Sequence, residues 1–173
     1  MQDLLSFARQ RPVQREAVRL GAILRQTIKL RSYDFSSHGV EVVEEFDENL
    51  PATIGDSQQL QQVFLNIVNN AYDAIQEAGR RGKITLRTKR VGDSIEVTLT
   101  DNGTGISDPA KIFDPFFTTK PTGKGTGLGL SICYGIVRAH SGEIQCWNND
   151  NGEGSTFLVR LPVATEAAME ATV

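Results

Sequence analysis

A run of alternating glycines leads directly into an apolar helical pattern. In GKGTGLGLSICYGIVRAHSG, residues 123–142, glycine occupies positions 123, 125, 127 and 129. Because glycine destabilises regular structure, residues 102–127, which contain eight glycines and prolines, are predicted to form a loop. The helix is predicted from about Gly127 to Ser141, with Gly142 as its stop. A loop of that length inside a compact domain is usually functional.

The segment GTGLGL has the properties of a phosphate-binding site. No Walker A pattern occurs, and the glycine spacing departs from the dinucleotide-binding fingerprint. A glycine-rich loop at a helix N-terminus still offers an anion free backbone N–H groups and the positive end of the helix dipole. Lys120 and Lys124, just upstream, would add positive charge. A plain flexible loop is the alternative, and this segment alone does not distinguish the two.

A long amphipathic helix carries a polar stripe that is unusual for a solvated surface. It is predicted to begin after a cap at Asp56 or Ser57 and to stop at Gly79. Its predicted buried face comprises Leu60, Val63, Phe64, Ile67, Val68, Ala71 and Ile75. The stripe comprises Asn66, Asn70, Asp73 and Glu77, at i, i+4, i+7 and i+11. Asparagine is a poor helix former, but its amide oxygen suits Mg²⁺. A solvated helix face is the alternative.

The segment TDNGTGI places a carboxylate at the end of a predicted strand. Asp101 leaves the sheet edge there, and Gly103 and Gly105 open the backbone beside it. Such a carboxylate can accept a hydrogen bond from an exocyclic amine, as on adenine. A simple Asx turn is the alternative, and this segment alone favours it because Asp-Asn-Gly is strong turn chemistry.

The remaining segments predict an α+β fold. Apolar residues at three- and four-residue steps predict a helix over 14–35, and period-two alternation predicts strands. The predicted strands are GVEVVEEF, KITLRTKR, SIEVTLTD, EIQCWN and STFLVRLP, with DENLPATIG as a loop. Helices grouped against such a mixed sheet form a two-layer α/β sandwich with the helices on one face.

The composition excludes several classes of partner. The net charge of −3 argues against a broad basic surface for nucleic acid. No apolar run approaches the ~18 residues of a membrane span. Cys133 and Cys146 match no metal-binding spacing and are interpreted as reduced thiols. We therefore expect a cytoplasmic domain that contacts neither nucleic acid nor a membrane directly.

Taken together, the motifs form an ordered set that resembles a known family. NIVNNAYDA is similar to the N box, DNGTGI to the G1 box, IFDPFF to the F box and GTGLGL to the G2 box of the sensor histidine kinases of two-component systems. The resemblance covers about residues 14–163. It implies the Bergerat ATP-binding fold, which type II topoisomerases, Hsp90 and mismatch-repair ATPases share. It also implies an ATP-dependent protein-histidine kinase with ATP and Mg²⁺ as cofactors.

The resemblance implies a role for each matching residue. Asn70 would coordinate Mg²⁺, Asn66 would lie near the phosphates, and Asp101 would bind the adenine amine. The implied nucleotide-binding set is Asn70, Asp73, Asp101, Gly103, Gly105, Ile106, Gly125, Thr126, Gly127, Leu128 and Gly129. Lys120 and Lys124 would act in catalysis with Asn66 and Asn70, from a lid over about residues 106–126. Phe113, Phe116 and Phe117 would anchor this lid, with core packing as the alternative, above all for Phe113.

Two differences from related sequences reduce the number of functions that fit this chain. The ATPases of this fold carry a glutamate four residues before the metal-binding asparagine. Here Asn66 occupies that position, and an amide is no general base. The site is therefore expected to hold ATP for transfer rather than for hydrolysis. The family's phosphoacceptor pattern, H-[ED]-x-x-[NT]-P, does not occur. His38 lies before a strand, and His140 is interpreted as a capping or surface residue whose charged form suits a helix C-terminus.

We accordingly expect the catalytic half of a longer kinase, which phosphorylates a histidine in trans. Residues 1–13 resemble the end of a dimerisation helix and its hinge, residues 14–163 the catalytic domain, and residues 164–173 a loose tail. The expected partners are its own dimerisation domain and a response regulator. The full-length protein is expected to be a homodimer, and its membrane anchoring stays open. The alternatives are an anti-sigma-type protein-serine kinase, a non-catalytic nucleotide-binding regulatory module and an ATPase.

Overall fold

A computed structural model describes residues 12–118 and 127–172 of the 173-residue chain. Seven strands and five helices are described there. In chain order they are β1 (Glu16–Val18), α1 (Leu20–Leu30), α2 (Ser32–Ser37), β2 (Glu41–Glu45), β3 (Thr53–Gly55), α3 (Ser57–Ala78), β4 (Lys83–Val91), β5 (Ser94–Asp101), α4 (Gly129–Ala139), β6 (Glu143–Asn148), β7 (Ser155–Pro162) and α5 (Glu166–Glu170).

The main sheet has five strands in the order β2-β4-β5-β7-β6. β2 pairs with β4 in parallel, and the other pairs are antiparallel. One face of the sheet carries alternating apolar side chains, such as Ile95, Val97 and Leu99 of β5, which join the buried faces of α1, α3 and α4 in one core. The fold is therefore the predicted α+β arrangement, a mixed sheet with its helices on one face.

Helix α3 forms where the sequence predicts it because both of its ends are encoded locally. The Asp56 Oδ1 atom accepts hydrogen bonds from the N–H groups of Gln58 at 3.0 Å and Gln59 at 3.1 Å. Gly79 ends the helix in the left-handed conformation, with φ of 65°. All seven residues of the predicted buried face are buried.

The helix predicted over 14–35 is wrong at its start and is interrupted near its end. Residues 16–18 form β1, which pairs with β3 in a separate two-stranded sheet, and β3 lies inside the segment predicted as a loop. Long-range contacts hold the chain extended here. The Gln14 N–H donates to Asp56 Oδ2 at 3.2 Å, and the Arg15 guanidinium donates to the Ala139 carbonyl at 3.1 Å. Tertiary pairing thus overrides a helical pattern that is real only from Leu20.

The tail and His140 both have features that the sequence did not predict. The tail contains helix α5, capped by Thr165, whose hydroxyl accepts from the Ala168 N–H. His140 is the C-cap residue of α4, as the capping interpretation predicted, but it is buried, at 4% exposure, and not on the surface. Its Nε2 accepts from the Asp56 N–H at 3.0 Å, so the ring proton is on Nδ1, which donates to the Ile136 carbonyl at 2.7 Å. These contacts require a neutral ring and not the charged form.

Within the described residues, no helix combines the length and the apolar character that a membrane crossing needs.

Candidate functional site

Helix α3 brings the separate sequence motifs to one place. Near its middle, the Asn66 amide donates to the carbonyl of Gly129, the first residue of α4, at 3.3 Å. Further along, the Ala74 carbonyl accepts from the Thr104 N–H at 3.2 Å, which fixes the loop after β5. Asn66 and Ala74 are about 12 Å apart along the helix axis, at 1.5 Å per residue. The two glycine-containing segments therefore contact the same helix at two points about two turns apart.

Asp101 ends β5 as a buried carboxylate, at 3% exposure. Its Oδ1 accepts from the Gly103 N–H at 2.8 Å, so the Asx turn that the sequence left open is formed. Its Oδ2 accepts from the Ser155 hydroxyl at 3.1 Å. Burial raises the pKa of the Asp101 carboxyl, and the bonds from Gly103 and Ser155 oppose that shift. The result is a fixed, desolvated acceptor at the start of the loop that follows β5.

Sequence reasoning missed Ser155. The glycine before it offered a weak signal, because small residues in series permit close backbone approach. Nothing local indicated that its hydroxyl would reach Asp101, since the two positions lie on different strands of the sheet.

The glycines of the loop after β5 are there for steric reasons. A Cβ at Gly103 would lie 2.6 Å from the carbonyl carbon of Ala74, closer than real contacts allow. Gly105 has φ of 83°, a region that disfavours other residues. Ile106 follows as a half-buried residue packed against the core. The predicted base-binding residues thus form a tight turn pressed onto α3.

The polar stripe of α3 has a half-buried part and an exposed part. Asn66 and Asn70 are half-buried, whereas Asp73 and Glu77 are exposed. The Asn70 amide nitrogen donates to the Asn66 carbonyl at 2.9 Å, a bond in which its oxygen takes no part. In the part of the chain that the structure describes, no three His, Cys, Asp or Glu side chains cluster as a metal site. A divalent ion here would need ligands from a substrate as well as from the protein.

The start of α4 is built for close backbone approach. Gly127 has φ of 70°, and a Cβ there would overlap the backbone of Phe116. The Ser131 hydroxyl donates to the Leu128 carbonyl at 2.9 Å, within the first turn. The predicted phosphate-binding residues Gly125 and Thr126, and the lysines Lys120 and Lys124, lie outside the described residues.

The three phenylalanines of the predicted lid differ in environment. Phe113 packs edge-on against Phe157, with ring centroids 6.3 Å apart, and also contacts Tyr134. Phe116 is 74% exposed and has φ of 65°, whereas Phe117 is half-buried. Phe113 therefore packs against the core, which was the alternative to a role in anchoring the lid. Phe116 is the most exposed of the three phenylalanines.

Comparison with known proteins identifies this arrangement. Residues 55–165 match the model of the family described as histidine kinase-, DNA gyrase B-, and HSP90-like ATPase. The chain is 40% identical over 166 residues to the signal transduction histidine-protein kinase AtoS of Escherichia coli, covering 94% of this chain and 26% of that protein. It is 35% identical over 179 residues to the sensory histidine kinase/phosphatase NtrB of Azospirillum brasilense, covering 94% and 43%. The chain therefore spans less than half the length of these relatives.

Solved structures agree with the sequence comparison. The catalytic domain of histidine kinase ThkA superimposes with a TM-score of 0.75 at 30% identity, covering 87% of this chain and 99% of that domain. ThkA in complex with the response regulator protein TrrA superimposes with a TM-score of 0.77 at 26% identity, covering 94% of this chain and 46% of that chain.

Proposed function

Because this chain belongs to the family of histidine kinase-, DNA gyrase B- and HSP90-like ATPases and is an ATP-binding catalytic domain of the histidine-kinase type, we propose that it presents the γ-phosphate of Mg²⁺·ATP to a histidine on a separate dimerisation domain. The observation that carries this proposal is the convergence on α3 of the Asp101 loop and the first residue of α4.

The adenine end of the proposed site centres on Asp101. Its carboxylate would accept the hydrogen bond of the exocyclic amine, with Gly103, Gly105 and Ile106 shaping the pocket for the ring. Hydrogen bonds to a charged acceptor are stronger than neutral ones, and burial strengthens them further. The contacts with Gly103 and Ser155 fix the carboxylate before the base arrives, so little ordering accompanies binding.

The triphosphate end combines backbone amides with a metal. The N–H groups at positions 125–129 would face the phosphates, with Lys120 and Lys124 adding charge. The chemistry of the site fits Mg²⁺, because a neutral amide oxygen at Asn70 and no acidic cluster in the described residues suit an ion that shares its ligands with phosphates and water. When bound, Mg²⁺ neutralises charge on the phosphate oxygens.

Catalysis in this proposal is positioning and charge stabilisation. The bond between the γ-phosphorus and the β–γ bridging oxygen breaks, a bond from phosphorus to the partner's imidazole nitrogen forms, and ADP leaves. This chain contributes no nucleophile. Asn66 donates its amide proton to Gly129 and has no basic group with which to activate water. Transfer is therefore favoured over hydrolysis.

The whole protein would use this domain together with other parts. We infer a dimerisation domain that carries the phosphoacceptor histidine, a homodimeric full-length kinase, and a response regulator that receives the phosphoryl group from that histidine. The relation of ThkA to TrrA supports the last point. A cytoplasmic location follows from the need for ATP.

The decisive experiment mixes this chain with γ-radiolabelled ATP, Mg²⁺ and the separately purified dimerisation domain of the same kinase. Acid-labile label on a histidine of that domain is the expected result. Acid-stable label on serine would instead indicate a serine kinase, and tight nucleotide binding without transfer would indicate a regulatory module.

The variant Asn70→Ala should lose the Mg²⁺-dependent part of the affinity for ATP. Equal affinity of the parent chain with and without Mg²⁺ would contradict the role of Asn70.

A further inference from the structure

The turn between β6 and β7 reaches back over the loop that follows β5. At the end of β6, the Asn148 side chain pairs with both backbone groups of Ile106. Its Oδ1 accepts from the Ile106 N–H at 2.7 Å, and its amide nitrogen donates to the Ile106 carbonyl at 2.8 Å. One side chain therefore satisfies the residue as a neighbouring strand would.

The next residue, Asn149, fixes the other end of the same loop. Its amide nitrogen donates to the Asp101 carbonyl at 2.9 Å and to the Glu153 carbonyl at 2.8 Å. Its Oδ1 accepts from the Thr156 hydroxyl at 2.7 Å. Because these bonds use both the oxygen and the nitrogen of the amide, the side chain has one orientation.

Close backbone packing reinforces these bonds. Gly154 has φ of 76°, and a Cβ there would overlap the Asp101 carbonyl oxygen. An ion pair joins Glu153 of the turn to Arg80, just beyond α3, with 2.8 Å between Oε1 and the guanidinium nitrogen. The turn is thus tied both to the loop and to the helix against which the loop packs.

Apart from the Asx turn at Asp101 and the contact of Thr104 with Ala74 of α3, the loop has no backbone pairing of its own to hold it within the described residues. Residues 102–106 contain two glycines and no regular secondary structure. Ordering a glycine loop costs more conformational entropy than ordering other residues. A loop that is held in its binding conformation beforehand binds more tightly, because that cost does not fall on the ligand.

We propose that Asn148 and Asn149 are positioning residues for the nucleotide base: they hold Asp101 and Ile106 in place and so set the affinity for ATP without touching it. This inference rests on the proposed function, since it takes the loop after β5 as the base-binding element. These two side chains, which we call the clamp, act at the base end of the site. Because ATP and ADP share the same base, loss of the clamp should weaken the binding of both nucleotides by the same factor.

The test compares Asn148→Ala with a matched control in the same turn, Asn151→Ala. The Asn151 side chain accepts from the Glu153 N–H, a bond within the turn. Isothermal titration calorimetry with Mg²⁺·ATP and Mg²⁺·ADP gives the affinities, and hydrogen exchange reports the Ile106 amide. For Asn148→Ala we expect both dissociation constants to rise about five- to tenfold, the effect of roughly one net hydrogen bond. The Ile106 amide should also exchange faster, and the control should match the parent.

The possible results distinguish a failure of this inference from a failure of the proposed function. If the parent chain does not bind ATP, the proposed function fails. If the parent binds ATP and Asn148→Ala binds it equally well, the clamp does not exist. A lowered melting temperature with unchanged affinity of the folded protein would likewise overturn it, since that marks a purely structural role. Should Asn148→Ala not fold, Asn148→Asp decides, because it keeps the acceptor for the Ile106 N–H and loses the donor. It should weaken both nucleotides, and unchanged affinity would refute the clamp.

Discussion

Substituting Asp101 by asparagine should separate nucleotide binding from folding. The amide is nearly the same size as the carboxylate, and its oxygen can keep the 2.8 Å bond from the Gly103 N–H. Its nitrogen would then face the Ser155 hydroxyl, which can turn from donor to acceptor. The variant Asp101→Asn should therefore retain the local structure.

The expected loss lies in recognition of the base. The exocyclic amine of adenine would meet an N–H₂ group in place of a carboxylate oxygen. Loss of a hydrogen bond to a charged acceptor costs about 1.5–3 kcal/mol, which corresponds to roughly 10- to 150-fold weaker binding. Asp101 is buried and its bonds are already formed, so we expect the upper part of that range.

The free energy of unfolding of Asp101→Asn should rise relative to the parent at neutral pH, whereas its affinity for ATP should fall. Burial raises the pKa of Asp101 above the ordinary value of 3.8, so its charged form is disfavoured in the folded state. The stability associated with this raised pKa is fully present below 3.8 and is lost as the pH rises through the folded pKa. The asparagine variant has no such loss, so its stability relative to the parent should increase from acid to neutral pH.

Calorimetry with ATP and with ITP, which lacks the amine, tests the assignment directly. The parent should prefer ATP, and in Asp101→Asn the ratio of the two affinities should fall towards one. Thermal unfolding at neutral pH provides the control for folding. Unchanged ATP affinity, or an ATP preference that survives the substitution, would refute the adenine role of Asp101.

Three further substitutions test one contact at the site and two interactions that stabilise the fold. Gly103→Ala should lower the free energy of unfolding by about 1–3 kcal/mol and weaken ATP binding, since the new methyl group overlaps Ala74; denaturant titration and calorimetry measure the two effects. Asp56→Ala removes the cap of α3 and should cost about 1–2 kcal/mol, seen as a fall in melting temperature of about 3–6 °C. A hydrogen bond from Arg160 lowers the pKa of Glu96, so this pair stabilises the fold above the ordinary value of 4.5 and the effect is lost as the pH falls through the folded pKa. Urea unfolding at a series of pH values should show that the free energy of unfolding of Arg160→Gln falls less steeply in acid than that of the parent. An unchanged dependence on pH would contradict the pairing.

The parts of the fold that the sequence predicts well are those encoded within a few residues. Helix α3 has its cap, its periodic apolar face and its terminal glycine in one segment, and the structure agrees at both ends. Strand β1 is the contrary case. Its three residues pair with β3, more than thirty positions away, and the helical spacing that begins at Ala17 is coincidental. Local pattern cannot reveal a strand that exists only through its partner.

The candidate site divides in the same way. The sequence predicts residue types whose chemistry is intrinsic, such as the carboxylate Asp101 and the amide Asn70. It does not predict the residues that bond to Asp101 and to the loop after it. Asn148 and Asn149 stand in a segment rich in Asn, Asp and Gly, which indicates a turn and nothing more. Their bonds to Ile106 and Asp101 span more than forty positions, so only the fold reveals them.

The contacts of Asn66 give a structural reason for an amide at this position. The absence of a glutamate at this position suggested transfer rather than hydrolysis. In the structure, the Asn66 amide donates to the Gly129 carbonyl at 3.3 Å and contacts the Cys133 sulfur at 3.5 Å. A glutamate carboxylate has no proton to donate to that carbonyl, so it would repel the first turn of α4 rather than hold it. The junction between α3 and α4 is therefore matched to an amide, and the same contact that secures the start of α4 excludes a general base from position 66.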